Sequence, residues 1–126
     1  MSKPDTQIDS LVDSYIAAWN ATDAAERAAL VARTWTPDAT YVDPLMRGDG
    51  HTGIDAMIAG AQGQYPGLSF SRRGGLDVHG DYIRFSWDLG PAGAAAVAGG
   101  TDFAVLEGGR IRAVTGFLDF TPQAAA

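Results

Sequence analysis

The spacing of apolar positions along this chain changes near residue 68, from one every three or four residues to one in two. Ile8, Leu11, Val12, Tyr15, Ile16 and Trp19 lie on one helical stripe, which predicts an amphipathic helix over residues 5–20 with the Tyr15 ring turned inward. A second helix is predicted from Asp23, whose side chain can cap it with Glu26 three residues on; it buries Ala28, Val31 and Trp35 and ends before Pro37. The stretch ATYVDP, residues 39–44, is short and β-branched and reads as a brief strand stopped at Pro44. Thr52 followed by Asp55 resembles a capping box for a third helix. That helix buries Ile54, Met57, Ile58 and Ala61 and breaks at Tyr65, Pro66 and Gly67.

From Leu68 onward, turn signals at Gly74-Gly75, Gly80-Asp81, Pro91 to Gly93 and Gly108-Gly109 predict four strands in a meander. Ile83, Phe85, Trp87 and Leu89 share one face of their strand, and Tyr82, Arg84, Ser86 and Asp88 the other. The last strand sets Ile111, Ala113, Thr115, Phe117 and Asp119 against Val114, Leu118 and Phe120. Helices first and antiparallel strands after them predict an α+β domain, with three N-terminal helices covering one side of a curved sheet. At 126 residues the chain is expected to be a single domain, residues 1–126.

Composition narrows the function more than the fold. A net charge of −6, with Lys and Arg scattered, argues against nucleic acid and against anionic membranes as partners. The N-terminal MSKPDTQ lacks the apolar segment of a signal peptide, and the run from Leu89 to Leu106 is Ala- and Gly-rich and carries Asp102, so a cytoplasmic, non-membrane protein is expected. There is no Cys, which excludes thiolate ligands and thiol nucleophiles. His51 and His79 form neither a His-x-His nor a helical pair, so no metal is expected, although His51 is close enough to Asp43 in sequence to reach a pocket rim. The loop GDGHTG, residues 48–53, has the glycine spacing of a phosphate loop, but Asp49 would repel a pyrophosphate and no acid follows at the ribose distance; no cofactor is expected.

Two carboxylates stand out by their surroundings. Asp102, in AAAVAGGTDFAVL, is the sole ionisable residue between Leu89 and Leu106. On a strand that is apolar on both faces it either accepts structural hydrogen bonds from Arg84 or Trp87, or lines a cavity, protonated at neutral pH and donating to a ligand oxygen. Asp43 either starts an Asp-Pro turn or serves as a general base at the edge of an apolar cavity. Ala94, Ala96, Ala98 and Gly100 on one strand leave room beneath the sheet, to be filled by helix side chains or by a ligand.

The helix LVDSYIAAWNATD, the segment TPDATYVDP with Gly53 and a helix after it, and the close TDFAVLEGGRI before a final strand resemble the nuclear transport factor 2-like superfamily, in its SnoaL-like and ketosteroid isomerase-like branch. The likeness spans nearly the whole chain. It implies a cone-shaped roll, a strongly curved mixed or antiparallel sheet wrapped on the helices around an apolar pocket. It also implies three roles: Asp43 as the proton-shuttling base, Tyr15 as a donor to the substrate oxygen, and Asp102 as a protonated second donor. Two tyrosines that support this network in the isomerases fall at Trp35 and Ala61 here. Trp19, Trp35, Met57, Phe85, Trp87 and Phe117 are candidate pocket walls. The expected activity is abstraction of a proton α to a carbonyl of a small apolar ligand. The alternatives are a SnoaL-like polyketide cyclase closing a ring by aldol chemistry, and a non-catalytic ligand-binding or dimerisation module; the family also implies a homodimer.

Overall fold

The helical stripe of the N-terminal segment becomes α1 (Lys3–Asn20) in the computed structural model, which describes residues 3–121. It is followed by α2 (Ala24–Thr34), β1 (Trp35–Val42), β2 (Arg47–Asp49), α3 (Gly50–Gln64), β3 (Ser69–His79), β4 (Tyr82–Gly90), β5 (Ala98–Glu107) and β6 (Arg110–Phe120). The strands form one sheet in the order β2-β1-β6-β5-β4-β3. Neighbouring strands run antiparallel except β1 and β6, which are parallel, so the sheet is mixed.

Asp23 caps α2 as the sequence suggests, its Oδ2 accepting from the Glu26 amide at 2.8 Å. The helix stops earlier than expected. Trp35 is already extended, and Pro37 lies inside β1, where the ladder to β6 is interrupted between Trp35 and Thr40 and its missing N–H breaks no sheet bond. Asp49 rather than Thr52 occupies the N-cap of α3 and makes no side-chain cap, so the expected capping box does not form. The loop with phosphate-loop spacing is instead β2 running into α3. Gly48 is needed there because a Cβ would sit 2.9 Å from the Gly53 carbonyl oxygen.

Gly74-Gly75 is a bulge within one long strand rather than a turn: the register between β3 and β4 shifts between Arg73 and Leu76. A bulge bends and twists its strand, and this one lies in the edge strand that curls over α1. β5 begins only at Ala98, leaving Ala94 and Ala96 in the preceding loop. A second bulge, where the β5–β6 register slips between Val105 and Leu106, changes the phase of β6. Ile111 faces inward, then Val114, Gly116 and Leu118, while Phe117 turns outward and meets Phe103 edge-to-face.

The core lies between the helices and the concave face of the sheet, with Val12, Tyr15, Val31, Trp35, Ile54, Ile58, Phe85 and Ile111 fully buried. Each such side chain contributes roughly 1.5–3 kcal/mol relative to exposure. Arg27 ties α2 to its neighbours by donating to Asp55 Oδ1 at 2.9 Å, to Gln62 Oε1 at 3.2 Å and to the Ala21 carbonyl at 3.2 Å. Among the described residues no helix is long and apolar enough to cross a membrane.

Candidate active site

β5 sits between β4 and β6, and Ala98, Gly100, Asp102 and Ala104 on its concave side are buried. Asp102 is on that side and only 1% exposed. Tyr15 reaches it from the inner face of α1, its Oη donating to Asp102 Oδ2 at 2.5 Å. Oδ1 of the same carboxyl has no hydrogen-bond partner among the described residues. Arg84, one of the structural donors considered for Asp102, points to the outer face and pairs with Asp77. Burial raises the Asp102 pKa to about 6; the Tyr15 phenol and the nearby Trp87 indole favour the charged form, and the charges of Asp43 and Asp119 oppose it. Burial thus holds the acid form of Asp102 to a pH well above the usual carboxylate range.

Asp43 follows the end of β1, and it both makes the turn and faces the cavity. Its Oδ1 accepts from the amides of Leu45 at 2.8 Å and Met46 at 2.9 Å, and its Oδ2 accepts the Tyr41 hydroxyl at 2.6 Å. Three donors and no acceptor around one carboxyl is the environment of a carboxylate. The phenols of Tyr15 and Tyr41 are both driven well above the ordinary tyrosine pKa, first by burial and then by the negative charge of Asp102. They are therefore donors and not bases.

These groups meet at one glycine. A Cβ on Gly116 would lie 2.9 Å from Asp102 Oδ1, 3.1 Å from Asp43 Cβ and 3.3 Å from Tyr41 Oη. The Asp102 carboxyl, the Asp43 Cβ and the Tyr41 hydroxyl, itself bonded to the Asp43 carboxylate, thus approach one point from β5, the turn after β1 and β1, with Tyr15 attached through Asp102. Gly116→Ala is expected to destabilise the protein by about 1–3 kcal/mol, because the added methyl has to displace a buried carboxyl or the adjoining strand end. Thermal unfolding checks this; an unchanged midpoint would place the groups farther apart than described.

The polar groups border a cavity of about 50 Å³ under the sheet, enough for a few water molecules or for the carbonyl end of a ligand. Its walls are otherwise apolar, including Ile16, Phe70, Leu89, Ala98 and Leu118. Leu45, Met46 and Tyr65 are shared with an open groove beside α3 and mark its mouth. Of the candidate walls, Trp19 and Trp87 line the cavity. The other four do not. Trp35 and Phe85 are core residues whose rings support Tyr15 at 5.2 and 5.1 Å, Met57 faces the outer groove, and Phe117 is 53% exposed on the convex side because of the bulge in β6.

Tyr41 and Tyr65 were given no site role from the sequence. Tyr41 had a signal, since residues two apart on a strand share a face and Asp43 follows it at that distance. Tyr65 follows Ala61, where a supporting tyrosine of the isomerases would fall, by one helical turn and closes the same side of the cavity. His51 stands apart from the cavity, with Nε2 2.8 Å from the Trp35 carbonyl, and His79 stacks on Tyr82 at the end of β3. Among the described residues no group of three or more His, Cys, Asp or Glu is placed to hold a metal ion.

A family model for the SnoaL-like domain matches residues 12–114. The chain is similar to a proposed isomerase of the SnoaL-like family from Agrobacterium tumefaciens, at 46% identity and a TM-score of 0.85, over 90% of this chain and 98% of that one. A proposed SnoaL-like polyketide cyclase from Jannaschia shares the fold at 19% identity, with a TM-score of 0.75 over 94% of this chain and 90% of that one. A proposed ketosteroid isomerase from Kribbella flavida does so at 20% identity, with a TM-score of 0.66 over 96% and 84%. No curated protein matches the sequence. With helices on a curved sheet and a family match over most of its length, the chain belongs to the SnoaL-like family and has the nuclear transport factor 2-like fold.

Proposed function

We propose that the protein is an enzyme that removes a proton from the carbon next to a carbonyl in a small, largely apolar substrate. The observation that carries this reading is the convergence of Asp43, Asp102 and Tyr41 on one point at the wall of an apolar cavity, with Tyr15 bonded to Asp102. Asp43 Oδ2 has a second lone pair beyond the one given to Tyr41 and accepts the substrate proton. The electron pair of the broken C–H bond forms the enolate, and its oxygen takes hydrogen bonds from Asp102 in its acid form and from Tyr15, whose hydroxyl turns from Asp102 to the ligand once that carboxyl carries its own proton. Isomerisation is completed when Asp43 returns the proton to a different carbon.

The pH dependence follows from the acid form that Asp102 must hold. With a pKa of about 6 in the free protein, kcat/KM falls as pH rises above that value. A second reading, ring closure by aldol chemistry, is favoured by the same pKa: an Asp102 that is ionised at neutral pH and has a free Oδ1 can itself serve as the base. In that case kcat/KM rises through pH 6.

The test uses 3-cyclohexenone, with conversion to the conjugated ketone and deuterium uptake from D₂O both followed by NMR between pH 5 and pH 8. Turnover above the buffer rate, falling above pH 6, is expected. Turnover that rises through pH 6 selects the second reading, and rates equal to buffer throughout would leave a binding module.

A further inference from the structure

We propose that the indole N–H of Trp19 is a third hydrogen-bond donor to the ligand oxygen, beside Tyr15 and Asp102. The role rests on the reading of the cavity given above.

Trp19 lies one helical turn after Tyr15 on α1, so both side chains leave the same face of the helix. Their rings are 6.4 Å apart and tilted by 55°, and the indole is flanked on its other sides by Tyr41 at 5.5 Å and Phe70 at 5.3 Å. The side chain is 6% exposed and lines the cavity. Its Nε1 is buried and has no acceptor among the described residues.

A donor left unpaired in an interior costs about 1–3 kcal/mol, and a phenylalanine would fill the same wall without that penalty. Trp35 also carries a buried Nε1 without a partner among the described residues, but it is packed in the core and does not line this cavity. Trp19 differs because the space beside it is open. The indole also lowers the pKa of the Tyr15 phenol, against the larger effect of burial, in keeping with the closeness of the two rings. Tyr15 gives its one proton to Asp102, and its oxygen, though near, is not placed to accept from the Trp19 N–H, which is left without a hydrogen-bond partner among the described residues.

The ligand chemistry that satisfies all three groups is an oxygen able to accept several hydrogen bonds at once, as a carbonyl oxygen does and an enolate oxygen does better. Phenol, planar and with an oxygen that accepts hydrogen bonds, is a stable stand-in for the enol form of such a substrate. In ¹⁵N-labelled protein the Trp19 indole resonance is identified by its absence from Trp19→Phe, and phenol is then titrated in at pH 5, where Asp102 is in its acid form. The indole proton is expected to move downfield on binding, and Trp19→Phe, which keeps the ring and removes the donor, is expected to bind phenol roughly 10- to 100-fold more weakly.

Phenol that binds without moving the resonance, or equally well to Trp19→Phe, would overturn the proposal, and so would failure of phenol to bind at millimolar concentration. The resonance decides the matter in wild-type protein should the variant fold poorly. A resonance that moves while cyclohexenone turnover is absent upholds the donor and overturns only the catalytic reading.

Discussion

Asp43→Asn is expected to slow proton transfer by roughly 10²- to 10⁴-fold, the range that a positioned general base supplies. The fold should survive, because the asparagine Oδ1 can still accept the Leu45 and Met46 amides that hold the turn. Tyr41 can rotate its hydroxyl to accept from the new amide where it now donates to Oδ2. The loss should therefore appear in kcat with little change in KM, and the thermal midpoint should stay close to that of the wild type. If Asp102 is the base instead, Asp43→Asn would retain most of its activity. A collapse in stability would mean that Asp43 is chiefly a turn residue.

Asp102→Asn has the second large effect, and it acts on stability and activity in opposite directions. The folded carboxyl titrates at about 6 against an ordinary 3.8, so the native state holds its proton more tightly than the unfolded chain. Stability must then fall as pH rises between those two values and stay lower above them. The difference corresponds to about 3 kcal/mol at pH 8. Asparagine cannot ionise and keeps an oxygen for the Tyr15 hydroxyl, so the variant should be more stable than wild type at pH 8, with the gap closing toward pH 4. Urea unfolding at pH 4.5, 6 and 8 measures it, and a gap independent of pH would contradict the assignment. Activity should fall by up to about 10²-fold, since an amide is a weaker donor than the acid it replaces.

The part of this site that could be read from the sequence is the part set by local periodicity. Asp102 is conspicuous as the one charge in a long apolar stretch, and Tyr15 belongs to the helical stripe that has to face the sheet. Asp43 and Tyr41 share a face because a strand alternates. Contacts set by the curvature of the sheet were not legible. Phe117 was assigned inward because the alternation of β6 was carried through a bulge, and one extra residue inverts every side chain beyond it. Trp35 and Phe85 do face the interior, but they lie behind Tyr15 and not beside the cavity. The bulge at Gly74-Gly75, which reads in sequence as a turn, was likewise not legible. The unpaired state of the Trp19 N–H is a property of everything around it and has no signature in the chain.

The account depends on a carboxyl group held out of water at the wall of a space that a ligand can enter. A ¹³C NMR titration of the Asp102 carboxyl, assigned by difference from Asp102→Asn, measures this directly. It should give a midpoint of about 6 in the free protein and a higher one when a neutral ketone such as cyclohexanone fills the cavity and removes the remaining water. A midpoint at the ordinary 3.8, unmoved by the ligand, would contradict it.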